Sequence, residues 1–268
     1  MAGVFYFCNM KHIFITIFLV AFISVIKAQD LNKYDRGIFI KGKDSISYRI
    51  LFPENFNPAQ KYPIIFFLHG SGERGSNNES QLVHGGKLFL KEEVRKNFPA
   101  IVVFPQCPAN DYWANVNISS NEQGKRRFSF VEGGKPTKAM KALNRMVKVF
   151  LKKSFVNKSQ VYVGGLSMGG MGTFELLRRQ RKTFAAAIAI CGGDNTNNIE
   201  KYKTVPLWIF HGGKDDVVDP AFSIAISERL KTVGDEVKFT LYPLANHNSW
   251  DSAFAEPDLL PWLFRHKR

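Results

Sequence analysis

Apolar residues in this chain fall into short unbroken runs, at Ile64 to Leu68, Ile101 to Phe104, Val161 to Val163, Ala185 to Ile190, Leu207 to Phe210 and Val237 to Leu241. Runs of this length without alternation predict strands buried on both faces. Helical spacing appears between several of them. After Pro136 it is clearest, with Met140, Leu143, Val147, Phe150 and Leu151 on one face. Strand and helix in alternation predict an α/β domain, a mostly parallel sheet flanked by helices. Two earlier strands, Arg36 to Ile40 and Ser45 to Leu51, joined by a turn at Lys41-Gly42-Lys43-Asp44, predict an antiparallel pair at the N-terminal side. The stretch Asp111 to Lys135 follows neither pattern and reads as a long loop at the rim of a ligand site. Ligands of open α/β sheets gather at the carboxyl ends of the strands, so the loops after these runs are where chemistry is expected.

Composition changes this picture in two places. Ile13 to Ile26 is apolar apart from Thr16 and Ser24, follows Lys11 and His12, and precedes Lys27-Ala28-Gln29. That is the order of an export signal, cleaved after Ala28, and the run is short for a membrane span. Residues 1–28 are therefore expected to leave, with Met10 as an alternative start, and residues 29–268 to form one catalytic domain without an integral membrane span, secreted or periplasmic. The net charge of +14 suits contact with acidic surfaces but does not choose among glycans, lipids and nucleic acid. Cys107 and Cys191 each follow a predicted strand, and an oxidising compartment permits a bridge.

Candidate chemistry centres on Gly165-Leu166-Ser167-Met168-Gly169. The G-x-S-x-G pattern is weak alone, but here it lies between a buried-type strand and a predicted helix, as a nucleophile elbow requires. The glycines make room for a sharp turn that presents the Ser167 hydroxyl at a helix N-terminus. A serine hydroxyl needs a base, and in this order of elements an acid and then a histidine follow. Among His211, His247 and His266, His247 is the expected base, because it lies in a loop after the last strand; His211 reads as a packed histidine and His266 as part of a basic tail. The acid is expected in the stretch after Phe210, with Asp215, Asp216 and Asp219 in that order of preference. Oxyanion stabilisation needs prepositioned backbone N–H groups. Met168 supplies one by position, and the loop His69 to Gly75 the other, from Ser71 or alternatively Gly72. His69 reads as structural, and Glu73 with Arg74 as a paired brace of that loop, the alternative being that Arg74 meets an anionic substrate group. No metal-ligand cluster or phosphate-binding loop competes, and no cofactor is expected.

The segments FFLHGSGERG, VVFPQCP, VYVGGLSMGGMGTFELL, AIAICGG, FHGGKDDVVD and NHNSWDSAF resemble, in this order, secreted α/β-hydrolase esterases of the prolyl-oligopeptidase-like and dienelactone-hydrolase-like kind. They are similar to the feruloyl and acetyl xylan esterases of carbohydrate esterase family one. The resemblance runs from about Tyr62 to Phe264 and implies an α/β-hydrolase fold, Ser167, Asp215 and His247 as triad, and Ser71 and Met168 as oxyanion donors. Family strand order puts the Phe104 and Ile190 strands on opposite sides of the central pair, which argues against a bridge between the cysteines. Two departures are Asp219-Pro220, where relatives often carry proline directly after the paired valines, and the stretch Lys125 to Gly133.

The function this implies is a serine carboxylic-ester hydrolase working through an acyl-enzyme, removing acetyl or feruloyl groups from plant polysaccharide. Its partner is a small-molecule or polysaccharide ester, with no nucleic acid. Trp113 and Trp250 are the substrate-binding candidates, joined by Tyr112, Phe128 and Phe130 in an aromatic wall; the alternative for Trp250 is packing behind His247. Other readings are a prolyl-oligopeptidase-like serine peptidase and a non-catalytic glycan-binding protein. Lys138, Lys141, Arg145, Lys148 and Lys152 recur opposite the apolar face of the helix after Pro136. They read as a solvated face, the alternative being attachment to an acidic glycan or envelope surface.

Overall fold

The computed structural model describes residues 30–268 apart from 43 and 235, so the export-signal reading of residues 1–28 lies outside the described residues. Strands β1 (Asp35–Lys41), β2 (Asp44–Leu51), β3 (Tyr62–Leu68), β4 (Ile101–Gln106), β7 (Val156–Leu166), β8 (Ala186–Ile190), β9 (Leu207–Gly212) and β10 (Val237–Tyr242) form one sheet. Their order is β1-β2-β4-β3-β7-β8-β9-β10. From β4 onwards neighbours run parallel; β1 and β2 pair antiparallel, as the sequence predicts, and β2 also runs antiparallel to β4. The unbroken apolar runs belong to strands covered on both faces: β4, β8 and β9 are buried at every position.

Helices α2 (Lys138–Phe150), α3 (Met168–Arg179) and α4 (Ala221–Val233) contribute to one core layer, and the shorter α1 (Glu92–Asn97), α5 (Trp250–Ala255) and α6 (Leu259–Arg265) to another. The start of α2 is set by Thr137, whose Oγ1 accepts the Met140 N–H at 3.0 Å. Its buried face carries Met140, Leu143, Met146, Val147 and Phe150. Each such side chain contributes about 1.5 to 3 kcal/mol relative to exposure, before conformational entropy is counted. Leu176, Leu177 and Ile226 join the same core layer. A second layer on the opposite side gathers Phe67, Phe104, Trp208, Leu260 and Trp262.

Two expectations change. The stretch Asp111 to Lys135 is not a structureless loop, for β5 (Val116–Ser120) and β6 (Arg126–Phe130) form an antiparallel hairpin of their own. Apolar alternation is hidden there because one face is solvated and carries Asn117, Ser119, Arg127 and Ser129. Strand β7 also continues past Val163 to Leu166, with Gly164 and Gly165 paired to both β3 and β8. The nucleophile turn therefore follows directly from the strand, with no loop to blur its direction. Cys107 and Cys191 are buried free thiols after β4 and β8, which β3 and β7 separate.

Candidate active site

The turn at the end of β7 is crowded by backbone. A Cβ at Gly169 would lie 1.9 Å from the Leu68 carbonyl oxygen, and one at Gly165 would lie 2.4 Å from that of Gly169. Only glycine fits these approaches. Ser167, between them, has φ 53° and ψ −118°, a left-handed conformation that costs a non-glycine residue on the order of 1–3 kcal/mol. Two hydrogen bonds hold it there: its N–H donates to Ile190 O at 2.9 Å, and its carbonyl accepts the Met171 N–H at 3.0 Å. The strained turn lifts Oγ clear of the strand at the head of α3.

His247 arrives from the turn after β10. Its Nε2 is 2.9 Å from Ser167 Oγ, and its Nδ1 is 2.8 Å from Asp215 Oδ2. The structure thus brings together the expected serine, acid and histidine, and it selects among the three acids. Asp215 is buried, and its Oδ1 accepts the N–H groups of Val217 and Val218, each at 2.9 Å. Asp216 is exposed, and Asp219 is exposed with Oδ1 accepting the Ala221 N–H at the start of α4. Burial opposes ionisation of Asp215, but hydrogen bonds from His211, His247 and the Val218 N–H overcome it and hold the carboxyl well below the usual carboxylate range. The carboxylate is therefore charged and fixed, as an orienting partner of an imidazole must be.

The loop after β3 closes the other side of Ser167. A Cβ on Gly70 would lie 3.7 Å from Ser167 Cβ, so Ser71 and Gly72 begin beside the nucleophile. Ser71 opens a short 3-10 helix, Ser71–Glu73, and Met168 opens α3; neither N–H has an intrahelical acceptor at that position. The α3 dipole adds partial positive charge at the same place. His69 is fully buried, with Nε2 accepting the Cys107 N–H at 2.9 Å and Nδ1 donating to Gly70 O at 2.6 Å. Burial pushes its pKa down to about 4, so it is a neutral tie and not a second base. Arg74 does not pair with Glu73. Its Nε donates to Ser71 O and its Nη1 to Asp111 O, which braces the loop through carbonyls, while Glu73 faces His84 Nε2 at 3.7 Å.

The substrate-binding candidates separate. Trp113 is 0 % exposed, lies edge-on to His69 at 5.5 Å, and packs against Gly172 of α3. The expectation that it stacks on a substrate is corrected: it is a core residue under the oxyanion loop. Trp250 is half-buried, edge-on to His247 at 5.4 Å and 5.0 Å from His84. It both packs on the imidazole and borders a cleft of about 220 Å³ with His84, Lys87, Lys91 and Asp251. Across the site, Tyr112, Phe128 and Phe130 pack with Met171, Val217 and Val218. Phe128 and Phe130 lie parallel, 13° between planes, and Phe130 meets Phe222 edge-on at 5.0 Å. The wall meets the acid's own loop through Val217 and Val218.

Three contacts are not visible in the linear chain. His211, 0 % exposed, directs Nε2 at Val218 O (2.9 Å) and Asp215 Oδ2 (3.2 Å), and meets Ser223 Oγ through Nδ1 at 2.7 Å. It is packed, as expected, but packed against the acid; its spacing of four before Asp215 was the available signal. His84 and Glu73 at the mouth carry no such signal. Cys191 Sγ lies with donor atoms of Asp215 and His247 inside a 4.8 Å cluster. Burial pushes that thiol up, and the carboxylate and imidazole are committed to each other, a donor set suited to proton transfer and not to a cation.

Comparisons with known proteins bear on the fold and the family. A family model described as phospholipase/carboxylesterase matches residues 56–256. The lysophospholipase-like protein 1 of Mus musculus is 23% identical over 194 residues, 68% of this chain and 79% of that protein. A thermostable esterase of known structure is 30% identical with a TM-score of 0.77; the match covers 89% of this chain and 64% of that one, so this chain spans less than two thirds of its length. A ferulic acid esterase from Anaeromyces mucronatus, solved with ferulic acid, shares the fold at 14% identity and TM-score 0.60, over 85% of this chain and 89% of that one.

Proposed function

Because the chain belongs to the phospholipase/carboxylesterase family, within the α/β-hydrolase fold, we propose that it is a serine carboxylic-ester hydrolase working through an acyl-enzyme. The observation that carries the reading is the chain of contacts from strained Ser167 through His247 to buried Asp215, at 2.9 and 2.8 Å. Ser167 Oγ attacks the ester carbonyl carbon as His247 Nε2 takes its proton. The carbonyl oxygen, now an oxyanion, turns towards the N–H groups of Ser71 and Met168. Collapse breaks the bond to the alcohol, which leaves with the proton from Nε2, and Ser167 keeps the acyl group as an ester. Water then gives its proton to Nε2 and attacks the acyl carbon; the acid departs, and the proton returns to Ser167. Asp215 stays ionised throughout and stabilises the imidazolium.

The substrate we assign is an acetyl or feruloyl ester on plant polysaccharide. The aromatic wall of Tyr112, Phe128 and Phe130 supports a flat or short acyl group on one side of Ser167. The cleft beside Trp250, with its mixed polar and aromatic lining, supports a sugar on the other. The fold likeness to a ferulic acid esterase points the same way. We also assign residues 1–28 to export, which suits a polymer substrate outside the cell. Among the described residues no helix is long and apolar enough to cross a membrane. A fluorophosphonate probe should label the protein and fail to label Ser167→Ala. In an ester panel, acetyl- and feruloyl-oligosaccharides should turn over faster than long-chain acyl esters. Preference for long acyl chains overturns the substrate assignment, and undiminished labelling of Ser167→Ala overturns the mechanism.

A further inference from the structure

At the far end of α3 from Ser167, about 16 Å along the helix axis at 1.5 Å per residue, a groove of about 460 Å³ opens between α3, α2 and the 3-10 helix Thr196–Lys201. Lys141, Arg145 and Lys148 reach it from α2, Arg178 and Arg179 from α3, and Lys201 from the third element. Among the described residues lining it there is no acid and no aromatic ring. Glu175 pairs with both Arg178 and Arg179, and Asp44 pairs with Arg145. Lys141, Lys148 and Lys201 are exposed and take no ion pair among the described residues. Cations gathered round a concavity reinforce one another's field more than the same charges spread on a convex face.

The arginines are built in, not merely solvated. The Arg178 side chain is 6 % exposed; its Nη1 donates to Gly133 O and its Nη2 to Glu175, yet its Nε is buried without a partner. Arg179 is held by Glu175 Oε1 through Nε, at 2.6 Å, and by Gly134 O at 3.0 Å. These contacts fix two guanidinium groups in the groove wall, so part of its positive field does not depend on flexible side chains. Asn144 and Asn198 also line the groove, with their amides held inside the fold by Met140 O, Val131 O and Asp194 Oδ1.

We propose that this groove binds a carboxylate-bearing polysaccharide, a chain with uronic acid residues, and so anchors the polymer away from the triad. Single-stranded nucleic acid is held by aromatic stacking platforms, and a membrane surface by apolar anchors beside basic residues; this lining has neither. The exposed lysines, spaced around the groove, match carboxylates spaced along a polymer. The choice of a polysaccharide as carrier rests on the esterase reading above, whereas anion binding does not. Holding the polymer at a second point raises the effective concentration of its ester groups at Ser167.

The test measures retention of residues 29–268, the chain expected after export, in gels containing polygalacturonate, neutral xylan or single-stranded DNA, and its co-sedimentation with phosphatidylglycerol vesicles. The groove variant combines Lys141→Gln, Lys148→Gln and Lys201→Gln; a charge-matched control combines Lys61→Gln, Lys96→Gln and Lys158→Gln, all exposed. The expected result is retention by polygalacturonate and not by xylan, weakened roughly tenfold in the groove variant alone. That retention should fall as salt shortens the screening length. Equal loss in the control, equal retention by xylan, or stronger groove-dependent binding of DNA or vesicles overturns the proposal. Hydrolysis of 4-nitrophenyl acetate is read separately and should be the same in parent and groove variant. Its absence from the parent counts against the esterase reading alone.

Discussion

The corner that holds Ser167, Asp215 and His247 meets the hairpin of β5 and β6 through Met171, Val217 and Val218, yet different forces hold the two. At the corner backbone meets backbone. A Cβ on Gly169 would collide with Leu68 O, and one on Gly212 would come 2.2 Å from Asn246 O. The triad side chains sit in a lattice of hydrogen bonds that includes His211 and the Val217 and Val218 N–H groups. The hairpin is a two-stranded sheet, too small to stand alone in water. It is held by side chains: Phe130 on Phe222, Asn195 Nδ2 donating to Phe130 O, and the Gly133 N–H donating to Asn198 Oδ1. A region of the first kind tolerates almost no change and suits chemistry. One of the second kind has no such backbone collisions to satisfy and tolerates change away from these few contacts, which suits selection of the acyl group.

The largest expected effect lies in the corner. Ser167→Ala should lower ester turnover by about 10⁴ to 10⁶-fold with the unfolding transition kept, since only oxyanion and binding contributions remain. Asp215→Asn should cost about 10⁴-fold and Asp216→Asn only a few-fold. Steady-state kinetics decide both, and the opposite ranking of the two aspartates would move the acid by one residue.

Next comes Trp113, which belongs to the corner although it stands at the foot of the hairpin. Trp113→Ala should lose about 3–5 kcal/mol of stability, the range for deleting a buried aromatic ring, with the preference between acetyl and aryl esters unchanged. Denaturant unfolding beside an ester panel reads both. A change of preference without destabilisation would return Trp113 to the substrate wall.

The acid limb of stability tests the corner's buried histidine. His69 is held at about 4 by burial, against an ordinary value near 6.5, so between those pH values the unfolded chain binds a proton that the folded one refuses. Stability is therefore full above about pH 6.5 and falls as pH drops towards 4, by on the order of 3 kcal/mol. In His69→Gln the slope of unfolding free energy against pH over that window should flatten, whatever the variant's absolute stability. An unchanged slope assigns the acid sensitivity elsewhere.

The smallest effect belongs to the hairpin. Phe128→Ala with Phe130→Ala should lower kcat/KM for feruloyl esters about tenfold relative to acetyl esters, the worth of one lost aromatic contact. Equal losses on both substrates would show that the hairpin supports the corner instead of facing the acyl group.

Much of the corner is legible in the chain, because its demands are local. Glycines at 165 and 169 are imposed by contact distances within one turn, the unbroken runs by burial on both faces, and the α2 pattern by a single helical face. The order Ser167, Asp215, His247 follows from the order in which strand ends reach one edge of the sheet. Family resemblance supported the choices of Ser71 and Asp215 that the reading of the residues had already made. The hairpin escaped it because its outward face carries arginine, serine and asparagine, so the period of two is diluted below notice.

Sequence alone therefore determined the sheet, the elbow and the set of candidate partners. Tertiary structure decided which of them meet. Trp113 and Trp250 look alike in the chain, but one is sealed beneath His69 and the other stands beside His247. Asp215, Asp216 and Asp219 share one short loop, but only the first is turned inward, where His211 and His247 both reach it. The cations of the basic groove come from three elements up to 60 positions apart, from Lys141 to Lys201. The physical reason is common to all three. Steric demands act through neighbouring bonds and leave their mark on neighbouring residues, whereas burial and charge act through space and are settled only when distant segments pack.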